Sequence, residues 1–419
     1  MSRVTTSVVE QLSPESLSVV RRAIGGAPDS WALDEIGDGN VNLIFRLSGP
    51  SGQVLVKQAV PYLRCVGESW PLSVRRNYFE YKALEAHATV AAEYLPRVLA
   101  FDEASAAMVM EFLGDHVILR KGVMQGIRYP RFSEHITDYM AQTLFFTSDL
   151  FLSAGEKKQK MKLFCENVDL CKITEDLIFT DPYRVAETNR WTTPQLDSLA
   201  HAFATDPELK VAITELKAKF LTACEALIHG DLHSGSIMVN QEATKVIDPE
   251  FAYYGPMGFD VGLLLANFFL GYFSQAGLAC NPPEYEAWLL EQVEQIWSKF
   301  ERKFCALWDQ HLEGDYLPAR LLTGDSRAAR AAIVSRVRSD YMARLFDDSL
   351  GFAASEMIRR VLGLAHVADL DNIADPDQRA LCEARALRAA RELLLNHRKY
   401  TGIMPVLAMV REERARPAP

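Results

Sequence analysis

The sequence predicts an α+β chain of two lobes, a small antiparallel-sheet lobe followed by a larger and mostly helical one. Three observations point there. The N-terminal third carries short apolar runs broken by turn residues, as strands do. After Gly114 the texture changes to long helical segments. One strand-rich island, from Ile228 to Phe251, interrupts them. The change of texture divides the chain into residues 1–113 and 114–419.

The first elements follow in order. Leu43 to Leu47 and Val54 to Val56 are apolar runs, and Ser48-Gly49-Pro50-Ser51-Gly52 between them is a turn by composition. A helical stretch runs from about Val74 to His87. Val98 to Phe101 and Ala107 to Met110 are two more strands, in a lobe expected to hold five. Met110-Glu111-Phe112-Leu113-Gly114 then reads as a short connector. The longest apolar run, Val261 to Phe273, contains Asn267 and Gly271 and falls short of the roughly 20 residues a membrane span needs. It is expected to be a buried helix.

Bulk composition narrows the function classes. With 419 residues, 49% of them hydrophobic, the chain is too long for one core, so two packed lobes are the default. A formal charge of −10 argues against a nucleic-acid binder, which carries a basic face. Met1 to Thr6 lacks the apolar core of a signal peptide. Seven cysteines, an odd count with no C-x-x-C pair, fit free thiols in a reducing compartment better than a disulfide framework or a zinc site. The expectation is a cytoplasmic protein with no membrane or nucleic-acid partner.

Chemistry concentrates in the island. Ile228-His229-Gly230-Asp231-Leu232-His233 leads into an apolar strand, and Val246-Ile247-Asp248-Pro249-Glu250-Phe251 is a second strand that ends in carboxylates. Phosphoryl transfer to a hydroxyl needs one carboxylate near the nucleophilic oxygen and others to hold Mg²⁺ on the phosphates of ATP. Asp231 is the candidate for the first task and Asp248 for the second. In an extended segment side chains alternate, so Asp248 and Glu250 would point the same way and both could reach metal.

Upstream residues complete a phosphate cradle. Ile36-Gly37-Asp38-Gly39-Asn40-Val41-Asn42 is a glycine-bearing turn feeding a strand, whose backbone N–H groups could approach phosphate, with Asn40 adding a side-chain contact. No G-x-x-x-x-G-K-[ST] P-loop is present. Val54-Leu55-Val56-Lys57 ends an apolar strand on a lysine, and Glu80 on the next helix is the carboxylate that could hold it. Taken alone, Lys57 reads as a solvated strand end and Glu80 as a solvated helix face. The connector Glu111-Phe112-Leu113 would offer backbone groups to adenine. Asp260, opening the long apolar helix, reads equally as a helix cap and as a brace for the His229-Gly230-Asp231 loop. Arg359 and Arg360 sit in an apolar helix about 100° apart, so one would line the cleft while the other pairs with an acid.

At these residues the chain resembles the protein-kinase-like superfamily, in its aminoglycoside-phosphotransferase and choline-kinase branch, marked by H-G-D-x-H-x-x-N. Ser236 stands where that asparagine belongs, and D-P-E replaces the usual D-[WFY]-[GE]. H-G-D-L-H-S-G-S together with V-I-D-P-E-F-A-Y-Y-G-P-M-G-F-D resembles the 5-methylthioribose kinases of methionine salvage. Further likeness lies in G-D-G-N-V-N, Lys57, Val66 to Leu72 and Ile358 to His366. The resemblance implies a bilobal protein-kinase-like fold and ATP contacts from Asn40, Lys57 and Glu111 to Leu113. It implies Mg²⁺ ligation by Asp248 and Glu250, flanking Pro249, with Glu250 standing in for the lost asparagine. Asp231 would meet the anomeric hydroxyl of the sugar, Arg359 and Arg360 would complete the substrate side, and the oligomer would be a homodimer. Trp70 is one candidate for an apolar wall against the methylthio group, and a core position is its ordinary reading. Two other readings stay open: another hydroxyl kinase of the superfamily (aminoglycoside, choline, homoserine or ketoamine), and a nucleotide-binding pseudokinase.

Overall fold

A computed structural model describes residues 5–36, 41–63, 67–278 and 283–417. The expected α+β arrangement is present. The small lobe holds a five-stranded antiparallel sheet in the order Ala32–Glu35, Asn42–Gly49, Gly52–Ala59, Ala107–Glu111, Val98–Asp102. The turn at its first long hairpin closes on the pair Gly49 and Gly52. A Cβ on Gly49 would lie 2.6 Å from the backbone oxygen of Ile24, so only glycine lets the hairpin meet the helix Pro14–Ile24. One face of the sheet buries Phe45, Leu47, Val54, Val56 and Val109 against Val20 and Ile24 of that helix. Each such side chain contributes about 1.5–3 kcal/mol on burial. The register sets Lys57 opposite Ile44 on one side and Met108 on the other, in the middle of the sheet.

The helix Arg76–Ala91, expected over 74–87, crosses from this sheet to the turn Pro249–Phe251. It carries the buried residues Arg76, Glu80 and His87.

The larger lobe is built around the helix Met257–Ser274, every residue of which is buried. Its length and apolar composition would suffice for a membrane span, yet all of it lies inside the protein. It packs against Arg327–Leu362, and a Cβ on Gly262 would lie 2.5 Å from the backbone oxygen of Ser349. That close approach aligns the C-terminal half of the partner helix, with Arg359 and Arg360, beneath the strand island.

The island is short strands joined by ordered loops. Ile237–Val239 pairs with Thr244–Val246 and with Val117–Ile118, while Ala226–Ile228 pairs with Tyr253–Gly255. The loop between Ile228 and Ile237 is therefore anchored at both ends by ladders, which fixes where its side chains point.

Candidate active site

The His229-Gly230-Asp231 loop is held by a buried carboxylate. Asp260 Oδ2 accepts from the His229 backbone N–H at 2.7 Å, and Oδ1 accepts from Gly230 N–H at 2.9 Å. Burial pushes the Asp260 carboxyl up to about 7, against the pull of these two donors. Of the two readings of Asp260, the brace is the one observed. The cap on the first turn of its helix is Glu225, which accepts from Met257 N–H at 2.9 Å. His229 Nδ1 accepts from Asp231 N–H at 3.2 Å, which leaves Nε2 to donate to the Ile247 carbonyl at 2.8 Å. This ties the loop to the residue preceding Asp248.

Two donors, His233 and Arg359, fix Asp231, and a third cation, Arg360, lies just beyond hydrogen-bond reach. Gly235 N–H donates to His233 Nδ1 at 2.9 Å, so His233 Nε2 carries the proton and faces Asp231 Oδ2 at 3.2 Å. Arg359 Nη2 lies 3.3 Å from Asp231 Oδ1, and Arg360 Nη2 lies 3.7 Å from the same oxygen. Burial alone would raise the Asp231 carboxyl. His233, Arg359 and Arg360 outweigh it and hold the group well below the usual carboxylate range. Burial keeps His233 neutral, lowering it to about 4.

The arginine pair differs from expectation. Both arginines face the catalytic loop, and both also pair with one acid, Glu356, at 2.5 Å from Arg359 Nε and 2.7 Å from Arg360 Nε. Residues three and four positions on from Glu356 lie above it on the same helix face, so a single carboxylate reaches both side chains.

Opposite stands the lysine cluster. Lys57 is 3% exposed and donates to Glu80 at 2.8 Å and to Asp248 Oδ1. Burial would lower the Lys57 ammonium, but Asp248, Glu80 and Glu250 raise it overall, so it stays charged. Glu80 is 1% exposed, and burial pushes it up against the opposing pull of Lys57. Neither residue is the solvated group it resembles alone.

The expected extended run from Val246 to Phe251 does not form. Its strand stops at Val246, Asp248 adopts the left-handed conformation with φ 62°, and Pro249–Phe251 is a single tight helical turn. Proline fixes its own φ and short-chain aspartate tolerates the left-handed region, so the D-P-E sequence turns instead of alternating. Asp248 stays part-exposed toward Lys57. Glu250, 5% exposed, turns inward to accept from Asn42 Nδ2 at 2.9 Å, with Arg76 Nε 3.8 Å away. Asn167 Nδ2 holds the same turn from below through the carbonyls of Glu250 and Ala252.

Among the described residues no group of three or more His, Cys, Asp or Glu is arranged to hold a metal by itself. A magnesium ion on a nucleotide needs only one or two carboxylates, the phosphates and water supplying the rest. Asp248, with Glu250 behind it, provides that number of hard oxygen donors.

Comparison with known proteins assigns the chain to a family. The model of the phosphotransferase enzyme family matches residues 33–288. Methylthioribose kinase 1 of Oryza sativa is 44% identical over 394 residues, covering 92% of this chain and 90% of its own. The methylthioribose kinase of Escherichia coli O45:K1 is 45% identical over 387 residues, covering 91% of each. That of Geobacillus kaustophilus is 41% identical over 406 residues, covering 96% of this chain and 97% of its own. The chain belongs to the methylthioribose kinase family. Among solved structures, a Plasmodium vivax ethanolamine kinase is similar with a TM-score of 0.44 at 12% identity, over 89% of this chain and 85% of that one.

Within this methylthioribose kinase fold the remaining candidates divide. Asn40 lies outside the described residues. The connector's side chains turn away from a shared site: Glu111 pairs with Arg97 at 2.8 Å, and Phe112 sits under the Arg46 guanidinium. Trp70 is half-buried, packed with Val41 and Phe251 at the edge of the small cluster of Leu72 and Leu170, so it occupies no core position. Sequence reasoning did not single out His233, Asn42, Arg76 or Glu356. His233 and Asn42 stand inside quoted motifs, so a signal existed. Arg76 is a charged residue on a helix, a pattern that composition reads as solvent-facing, whereas Glu356 stands at helical spacing from the two arginines.

Proposed function

We propose that the chain transfers the γ-phosphate of ATP to the 1-hydroxyl of 5-methylthioribose, giving 5-methylthioribose 1-phosphate for methionine salvage. The observation that carries this is Asp231: ionised, locked by His233 and Arg359, and set in a loop braced by Asp260. Such a carboxylate orients a hydroxyl toward phosphorus and takes its proton as the new O–P bond forms and ADP leaves. The depressed pKa suits that late acceptance better than early abstraction.

The remaining roles follow from charge and position. Lys57, held by Glu80, meets the phosphates, and the backbone from Glu111 through Phe112 to Leu113 meets adenine. Asn40, in the glycine turn, adds a phosphate contact. Mg²⁺, when bound, neutralises charge on the β- and γ-phosphates. Asp248 would hold it, Glu250 would be the second ligand, and Pro249 sets the turn between them. Arg359 and Arg360 offer donors to sugar hydroxyls and to the moving phosphoryl group. We further propose a nucleotide lobe over 1–113, a catalytic lobe over 114–419, a cytoplasmic location and a homodimer.

The test is direct. Purified protein is incubated with ATP, Mg²⁺ and 5-methylthioribose, beside ribose, choline and kanamycin, and ADP and sugar phosphate are followed by mass. Turnover confined to methylthioribose is expected. Turnover on another compound alone replaces the substrate but keeps the catalytic roles, and ATP binding without any turnover removes the kinase reading.

A further inference from the structure

Two buried arginines, Arg359 and Arg360, bridge a buried carboxylate, Glu356, to the part-exposed carboxylate of Asp231 in the catalytic loop, and their contacts are unequal. Glu356 is 0% exposed. Its Oε2 accepts from Arg359 Nε at 2.5 Å, and its Oε1 accepts from Arg360 Nε at 2.7 Å and from Arg359 Nη2 at 3.3 Å. The contacts to Asp231 are longer, 3.3 Å from Arg359 and 3.7 Å from Arg360. Each guanidinium thus spends its Nε edge on Glu356 and turns an Nη2 toward Asp231. The formal charges of the four groups cancel.

We propose that Glu356 is a positioning residue for the reaction, anchoring the Nε edges of both arginines so that neither closes onto Asp231. The inference rests on the kinase reading above. Without Glu356, Asp231 would be the nearest counter-charge for two buried cations, and a buried cation without a partner is costly. The guanidinium groups would then close on Asp231 in the bidentate geometry arginine prefers. A carboxylate so occupied has no lone pair left for a substrate hydroxyl. A second observation points the same way: Arg360 Nη2 is buried and has no hydrogen-bond acceptor among the described residues. Glu356 holds that donor in reserve, aimed where a substrate oxygen would arrive, with no reorganisation needed at that moment.

A purely charge-balancing Glu356 would predict lost stability and nothing specific to the sugar. The experiment therefore compares the parent, Glu356→Gln and Glu356→Asp in thermal midpoint, ATP Kd, kcat and KM for methylthioribose. The parent's turnover is the control: if it fails, the kinase reading fails, separately from this inference. In folded Glu356→Gln, kcat is expected to fall at least about tenfold and sugar KM to rise, with ATP Kd within about twofold of the parent. Glu356→Asp, which keeps the charge on a shorter stem, is expected to recover part of kcat. If Glu356→Gln does not fold, Glu356→Asp decides alone, with lower kcat at unchanged ATP Kd expected. Parental kcat and sugar KM in a folded variant, or ATP and sugar parameters falling together, would overturn the proposal.

Discussion

The carboxylate of Glu250 accepts a 2.9 Å hydrogen bond from the side-chain amide of Asn42, a residue 208 positions earlier in the chain. Arg76 completes the junction: Nε donates to Asn42 Oδ1 at 3.1 Å and lies 3.8 Å from Glu250. The other two guanidinium nitrogens donate to the carbonyls of Ser73 and Val41, both at 2.9 Å. One buried arginine thus joins the entry to the strand Asn42–Gly49, the start of a helix and the carboxylate turn of the other lobe.

Removing that arginine should be severe. Arg76→Met leaves Glu250 buried without its cation and two carbonyls without a donor. Breaking a buried pair from one side costs about 3–5 kcal/mol. Arg76→Lys is expected to restore little, because an ammonium cannot reach several acceptors with fixed geometry. Denaturant unfolding of both variants checks this, and a lysine variant as stable as the parent would refute the bridging role.

Lys57→Met separates nucleotide binding from sugar binding. The lysine is held between Glu80 and Asp248, so its charge is fixed in place before any phosphate arrives. Loss of one preorganised electrostatic donor costs about 10²–10³ in rate. The variant should lose that much in kcat/KM for ATP, while equilibrium binding of methylthioribose, measured by calorimetry, stays near parental. Equal losses on both sides would place Lys57 outside the phosphate site.

These two residues also mark how far the sequence could be read. Lys57 and Asp231 were legible because each ends or follows an apolar run at a spacing that phosphoryl transfer explains, and Met257–Ser274 because nearly every residue in it is apolar. Glu80 was legible only through Lys57, since a lone acid on a helix looks solvated. The path from Asp248 to Glu250 reads as extended only if alternation continues across Pro249, whose ring instead favours the turn that forms. Arg76 was invisible because its burial is created far away in sequence, by the carboxylate turn. Glu356 is different: it stands three and four residues before the two arginines in the same apolar helix, so helical spacing alone makes it the acid that one of them was expected to pair with.

Asp231 gives a pH prediction with a definite sign. Its folded pKa is depressed, so its stabilising contribution is present above the unfolded value of about 3.9 and is lost as pH falls below it. Asp231→Asn should therefore flatten the loss of stability on acidification below about pH 4. Between pH 5 and 9 (roughly the assayable range) the parent's kcat should show no acidic limb from this group. The same variant should lower kcat by about 10²–10⁴ while retaining ATP binding. A kcat that halves near pH 6 with a slope abolished in Asp231→Asn would contradict the depressed value.

Gly230 tests whether the catalytic loop tolerates any other backbone. Its φ is 81°, a region that side chains other than glycine rarely enter. Space is closed as well: a Cβ there would lie 2.2 Å from the carbonyl oxygen of Phe251, which belongs to the carboxylate turn and cannot swing away like a side chain. Gly230→Ala must therefore push the loop off that turn, break the hydrogen bonds from His229 and Gly230 to Asp260, or both. Activity should fall by at least about 10²-fold, the order of loss that misplacing a reacting group brings. Stability should drop by about 1–3 kcal/mol, the cost of a strained backbone position. Hydrogen exchange at the amides of His229 and Gly230 gives the local readout, expected to be much faster than in the parent. Parental exchange together with parental turnover would mean the loop has a second arrangement that keeps Asp231 in place, and the brace by Asp260 would then be dispensable.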